Sequence, residues 1–120
     1  MNKQQTMQTF WSSFGLPAYD ETSVPDDAKL PYITYEATVD NFGYMISCSA
    51  SLWYRSESWA GITAKAYEID DRIGRGGVIL DYEGGAVWLS KGSPWQMRMN
   101  DPDDDMVRRI VFNLNAEYFD

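Results

Sequence analysis

Residues 72–85 read RIGRGGVILDYEGG, a run in which Gly74, Gly76, Gly77, Gly84 and Gly85 surround one arginine and two acids. Glycine-rich loops with a nearby cation cradle phosphates, so a nucleotide site is the first chemistry to weigh. Such a loop follows a strand and opens a helix, which turns free amides and the positive end of the helix toward the anion. Here a stripe with helical spacing precedes the glycines and a strand-like run follows them. The pattern G-x-G-x-x-G is not completed, because Ile79 stands where the last glycine belongs, and no G-K-[ST] is present. The stretch therefore reads as a helix stop followed by a hairpin, with Arg75 exposed on the turn and available to an acidic partner.

Carboxylates are the other candidates for chemistry. Asp70, Asp71, Asp81 and Glu83 lie close in sequence, and Asp101, Asp103, Asp104 and Asp105 share one loop. General acid and base work needs two carboxyls held in different environments so that their proton affinities separate. Adjacent acids in a proline-containing loop read instead as solvated surface. The segment DPDDD also lacks the alternating D-x-D-x-D-G pattern and distal Glu of a calcium loop. The chain has no histidine, which removes imidazole bases, Ser-His and Cys-His nucleophiles and histidine metal sites. Cys48 sits in an apolar strand face with no base beside it, so it reads as a small core residue. The expectation is no catalytic residue, no cofactor and no metal.

Composition narrows the partners. Eighteen acidic against ten basic residues give a formal net charge of −8, and no stretch gathers a basic face. Sequence-independent phosphate binding is thereby disfavoured, as is sequence-specific recognition of nucleic acid. An acidic wall would still let DNA slide past without adhering. A single cysteine allows no internal disulfide and points to a reducing compartment at synthesis. No run reaches the length of a membrane span, and the N-terminus has no apolar leader core. With 120 residues, 44% of them hydrophobic and 15% aromatic, the chain reads as one domain over 1–120 with an aromatic-rich core or interface.

Periodicity supplies the elements that would position these residues. Met7, Phe10, Trp11 and Phe14 form one apolar stripe on a helix that Gly15 and Pro17 stop. AYDETSVPDDAKLP is an exposed loop. Residues 32–40 alternate with Ile33, Tyr35, Ala37 and Val39 on one side, and 44–54 alternate with Ile46, Cys48, Ala50 and Leu52 on one side. Joined by a turn at Asn41, Phe42 and Gly43, they predict an antiparallel hairpin. Ser56 or Ser58 caps a second helix carrying Trp59, Ile62, Ala66, Ile69 and Ile73, closed at Gly74. Strands over 78–82 and 86–90 follow, joined at Glu83, Gly84 and Gly85. A turn at KGSP, a short strand with Trp95, Met97 and Met99 on one side, and an acidic loop at 100–105 come next. The last strand, 106–119, is the clearest. The predicted fold is α+β, a mainly antiparallel sheet with an N-terminal helix and a second helix packed on it, in the order α-β-β-α-β-β-β.

The helix MQTFWSSFGLPAY, the acidic loop entering LPYITYEA with Tyr32 and Tyr35, the strand SASLWYRSES with Trp53 and Arg55, and the strand VRRIVFNLNAEYF together give a pattern that resembles the tail terminator and tail completion proteins of long-tailed bacteriophages and prophages. The resemblance follows the order of elements over most of the chain. It implies a structural protein without catalytic residues, a homo-oligomeric ring, commonly a hexamer, that stops the major tail tube protein from polymerising and meets the head completion or connector protein. It also implies assembly in the host cytoplasm and a final place in the virion tail or neck. A head-tail connector or minor tail subunit is the alternative from the same assembly. From a different class, the alternative is a small α+β ligand-binding domain or enzyme using its carboxylates. The interface candidates are Trp53 and Arg55 at the end of the second long strand, Arg75 on the glycine turn, and Asp103, Asp104 and Asp105 in the acidic loop.

Overall fold

A computed structural model describes residues 1–40 and 44–120. The elements are α1 (Lys3–Ser12), β1 (Ala18–Asp20), β2 (Tyr32–Tyr35), β3 (Met45–Arg55), α2 (Ala60–Ile73), β4 (Val78–Tyr82), β5 (Gly85–Asn100) and β6 (Val107–Phe119). The strands form one six-stranded sheet in the order β1-β2-β3-β6-β5-β4. All pairings are antiparallel except β1 with β2, so the sheet is mixed and the fold is α+β.

Both helices pack on one face, here called the inner face. Val87, Leu89, Ile110, Phe112, Leu114, Tyr118, Cys48, Ala50 and Leu52 point there, where they meet Ile62, Ala66, Ile69 and Ile73 of α2 and the α1 stripe of Met7, Phe10, Trp11 and, just beyond the helix, Phe14. The period of two along β3 and β6 and the period of three to four along α2 are the reason these residues share one core. Helix α1 touches both β1 and β4, the two edges of the sheet, so the sheet curls around it. Its side chains bind backbone on each edge: Gln8 Nε2 donates to the carbonyl of Ala18 at 2.9 Å, and Thr6 Oγ1 donates to that of Asp81 at 3.1 Å. The Asn2 side chain caps this helix in a reciprocal box with Gln5.

Several expectations are corrected. A short strand, β1, lies inside the segment expected to be loop, and it pairs in parallel with β2. Strand β2 ends at Tyr35 rather than Asp40, and Ala37 and Val39 are exposed instead of sharing the buried side of Ile33. The expected turn at Asn41, Phe42 and Gly43 lies outside the described residues, although β2 and β3 do pair antiparallel. KGSP does not reverse the chain: β5 runs through it from Gly85 to Asn100, with a shift in register between Lys91 and Gln96. Asn113 Nδ2 holds this bulge by donating to the carbonyl of Pro94 at 2.9 Å. The bulge also turns Trp95 to the inner side, where it packs on Phe112 with ring centroids 5.1 Å apart, leaving Met97 and Met99 outside.

The glycine stretch has structural work. Gly74 ends α2, its amide donating to Asp70 O at 2.9 Å. Gly77 has φ +82°, and a Cβ there would lie 2.5 Å from Trp88 Nε1 and 2.6 Å from Leu89 O. Glycine is required by both the backbone and the space. Trp88 Nε1 donates to Gly76 O at 2.9 Å and closes the turn onto β5.

Candidate contact surface on the outer sheet face

The face of the sheet opposite the helices carries Tyr19, Tyr32 and Thr34, the serines 47, 49 and 51, Trp53, Arg109, Val111, Asn113 and Asn115, with Met45, Met97, Met99 and Ile79 exposed. Strand register builds one row across it. Tyr32 stands opposite Trp53, Trp53 opposite Arg109, and Arg109 opposite Met99. The Arg109 guanidinium lies 4.4 Å from the centroid of the Trp53 ring, and the Tyr32 ring is 6.5 Å further along. Tyr19 stacks edge-on against Tyr32 at 5.6 Å and extends the row to the edge of the sheet.

Two buried hydroxyls anchor the centre of this row. Trp53 Nε1 donates to Thr34 Oγ1 at 2.9 Å, and Arg109 Nε donates to Ser51 Oγ at 3.2 Å. Thr34 and Ser51 are buried although they sit on the outer face, because the indole and guanidinium lie over them. The result is a pre-ordered plate of aromatic and guanidinium surface, which loses little side-chain freedom when a partner covers it.

At the open end of the sheet the β5–β6 loop borders this plate. A shallow cavity of about 230 Å³ lies between Trp53, Arg109, Met99, Pro102 and Asp103. The loop is tied largely to itself. Asp101 Oδ1 accepts from the Asp103 amide at 2.9 Å, and Asp104 Oδ1 accepts from the Met106 amide at 3.0 Å. Asp104 Oδ2 then pairs with Arg55 Nη2 at 2.7 Å. The Met106 amide first, and the Arg55 guanidinium second, hold the Asp104 carboxyl below its ordinary range. The loop is anchored to β3 where the Ser56 amide donates to Met106 O at 2.7 Å. No group of three or more His, Cys, Asp or Glu among the described residues is gathered to hold a metal ion.

The sequence candidates divide on this geometry. Trp53, Arg55, Asp103, Asp104 and Asp105 come together at this end of the sheet. Asp104 is a loop-closing residue that is already paired, while Asp103 and Asp105 are exposed. Arg75 is not part of the group. It lies on the turn before β4, and β4 stands three strands from β3 in the order β3-β6-β5-β4, at the far border of the sheet. Tyr35 points inward and donates to Gln8 Oε1, so it belongs to the core. Arg109 and Met99 were missed. Their place beside Trp53 depends on which residues of three strands stand opposite one another, and alternation within one strand carries no such information.

The other reactive groups sit in the core or in pairs. Cys48 is buried, and desolvation first, then the charge of Glu36, push its thiol up to about 12. Asp70 accepts from Lys91 Nζ at 2.6 Å and from Trp95 Nε1 at 2.9 Å, which pins β5 to α2. No known family model, curated protein or solved structure matches this chain.

Proposed function

We propose that the protein is a structural assembly subunit whose outer sheet face is a contact surface, and that it works as a tail terminator: a ring, commonly of six copies, that caps the tail tube and meets the head connector. The observation that carries this reading is the Tyr32–Trp53–Arg109–Met99 row on the face of the sheet opposite α1 and α2. Interface centres favour Tyr, Trp, Met and Arg and are poor in other charges, and this row has that composition in a chain whose net charge is −8. Ser47 and Ser49 on β3, with Asn113 and Asn115 on β6, border it with short uncharged groups suited to a hydrogen-bonded rim. The specific role as a terminator comes from the resemblance in element order, and the site geometry supports the broader part, a protein that acts through contact.

Electron microscopy of the tail tube protein of the same genome, polymerised with and without this protein, tests the role. Tubes capped at one end by a ring, and shorter as the ratio of this protein rises, are expected. Tubes of unchanged length with bare ends would overturn it.

A further inference from the structure

Ten basic side chains stand among eighteen acids, and eight of the ten already rest on a carboxylate, a carbonyl, a hydroxyl or an aromatic ring. Among the described residues, Lys29 and Arg75 have no such contact. Lys29 follows Asp26 and Asp27 in an exposed loop, with acids of its own beside it in sequence. Arg75 is presented differently. The Gly74 amide donates to Asp70 O on one side of it, and Gly76 O accepts from Trp88 Nε1 on the other, so the backbone of the turn is pinned. A Cβ at Gly76 would meet nothing within 4 Å, which leaves the arginine open to approach. Ile79, on the outer face just beyond the turn, is 67% exposed. This corner of the molecule carries one aliphatic knob and one uncompensated cation.

The hollow at the end of the aromatic row has the complementary character. Trp53, Met99 and Pro102 give it apolar walls, and Asp101 and Asp103 against Arg109 leave it one negative charge in excess. Arg109 is held on the Trp53 ring and on Ser51, and Asp101 accepts the Asp103 amide, so the exposed Asp103 carboxylate has no cation. Both the turn and the loop are closed by their own hydrogen bonds and lose little freedom on contact.

We propose that the Arg75–Ile79 corner of one copy docks into the Trp53–Asp103 hollow of another, with Ile79 between the apolar walls and Arg75 paired with Asp103. Charge selects a second copy as the occupant. Copies that each carry a net charge of −8 repel unless a cation meets an acidic patch, and Arg75 is the cation this chain holds ready on a fixed turn. An exposed ion pair alone adds little, so Ile79 supplies the burial and Arg75 the orientation. Knob and hollow are different surfaces, so the contact is of the heterologous kind that a ring repeats. The inference rests on the ring reading of the outer face and names what meets its end.

Sedimentation velocity of the chain, alone and with the tail tube protein of the same genome, tests it by charge exchange. Arg75→Glu and Asp103→Arg are each expected to weaken assembly roughly 5- to 30-fold, as a surface pair becomes repulsive, and the double variant to return to within a few-fold of wild type. Ile79→Ala is expected to weaken it roughly 10-fold. All three side chains are exposed, so the variants fold, and circular dichroism verifies this. Assembly that ignores the substitutions, or a double variant no better than its singles, overturns this contact and leaves the ring reading in place. A dimer that obeys the exchange supports the contact and removes the six-copy ring. A chain that stays monomeric alone and with the tube protein overturns both.

Discussion

Leu52 and Trp53 are neighbours on β3 whose side chains leave opposite faces of the sheet, so truncating each to alanine separates folding from contact. Leu52 is fully buried beneath α2, and Leu52→Ala removes core volume at a cost of ~2–5 kcal/mol. Trp53 holds one hydrogen bond to Thr34, worth ~1 kcal/mol, the Arg109 stack, worth ~0.5–1 kcal/mol, and a distant Tyr32 contact, worth ~0.5 kcal/mol. Trp53→Ala therefore destabilises the isolated chain by about 2 kcal/mol. For a chain of this length ~1 kcal/mol moves Tm by about 4 °C, so the expected losses are roughly 8–20 °C for Leu52→Ala and about 8 °C for Trp53→Ala. Assembly should separate them in the opposite order. An anchor at the centre of an interface costs at least ~2 kcal/mol when truncated, about 30-fold in affinity, while the folded fraction of Leu52→Ala should assemble within a few-fold of wild type. Differential scanning calorimetry at dilute concentration gives the first pair of numbers and sedimentation equilibrium the second. If Trp53→Ala assembles as well as wild type, the row on the outer face is only surface and the reasoning fails.

The glycine turn gives a sharp contrast: Gly77→Ala and Gly85→Ala, whose Cβ atoms would meet backbone at 2.6 and 2.2 Å, should be strongly destabilised in urea melts, whereas Gly76→Ala, with open space around it, should not. Cys48 and Tyr118 bind their protons more tightly in the folded chain, pushed up to about 12 from 9.0 and 10.0, chiefly by burial. The unfolded chain ionises first as pH rises, so Tm should hold below pH 9 and fall from there toward pH 12, and Cys48→Ala should flatten the start of that fall. A thiol reagent at pH 8 should label Cys48 only in denaturant. In the acidic loop, Asp103→Asn and Asp105→Asn should change stability by less than ~0.5 kcal/mol. Asp104→Ala should speed hydrogen exchange at Met106, whose amide it accepts.

Much of the fold could be read in the sequence because its core residues repeat at the period of their element. Met7, Phe10, Trp11 and Phe14, the α2 stripe from Ile62 to Ile73, and alternation along β3 and β6 all bury as their spacing predicts. Local signals failed where pairing overrides them. Ala18, Tyr19 and Asp20 are too few to show alternation, and only the backbone of β2 makes them a strand. Lys91–Pro94 has the composition of a turn, yet β6 continues past it and Asn113 holds the extra residues as a bulge. At the candidate surface, Trp53, Arg55 and the acidic loop were visible as exposed polar and aromatic residues. Arg109 and Met99 were not, because they join Trp53 only through the registers of β3, β6 and β5. Arg75 lies apart from that group, since the strand order sets β4 and the turn before it at the far border of the sheet.

Native mass spectrometry of the unmodified chain, alone and with the tail tube protein, tests the central claim most directly. A closed assembly of 13.8 kDa subunits, about 83 kDa for six copies, formed alone or on the tube and lost with Trp53→Ala, is the expected result. A single 13.8 kDa species at every concentration, with and without the tube protein, would contradict it.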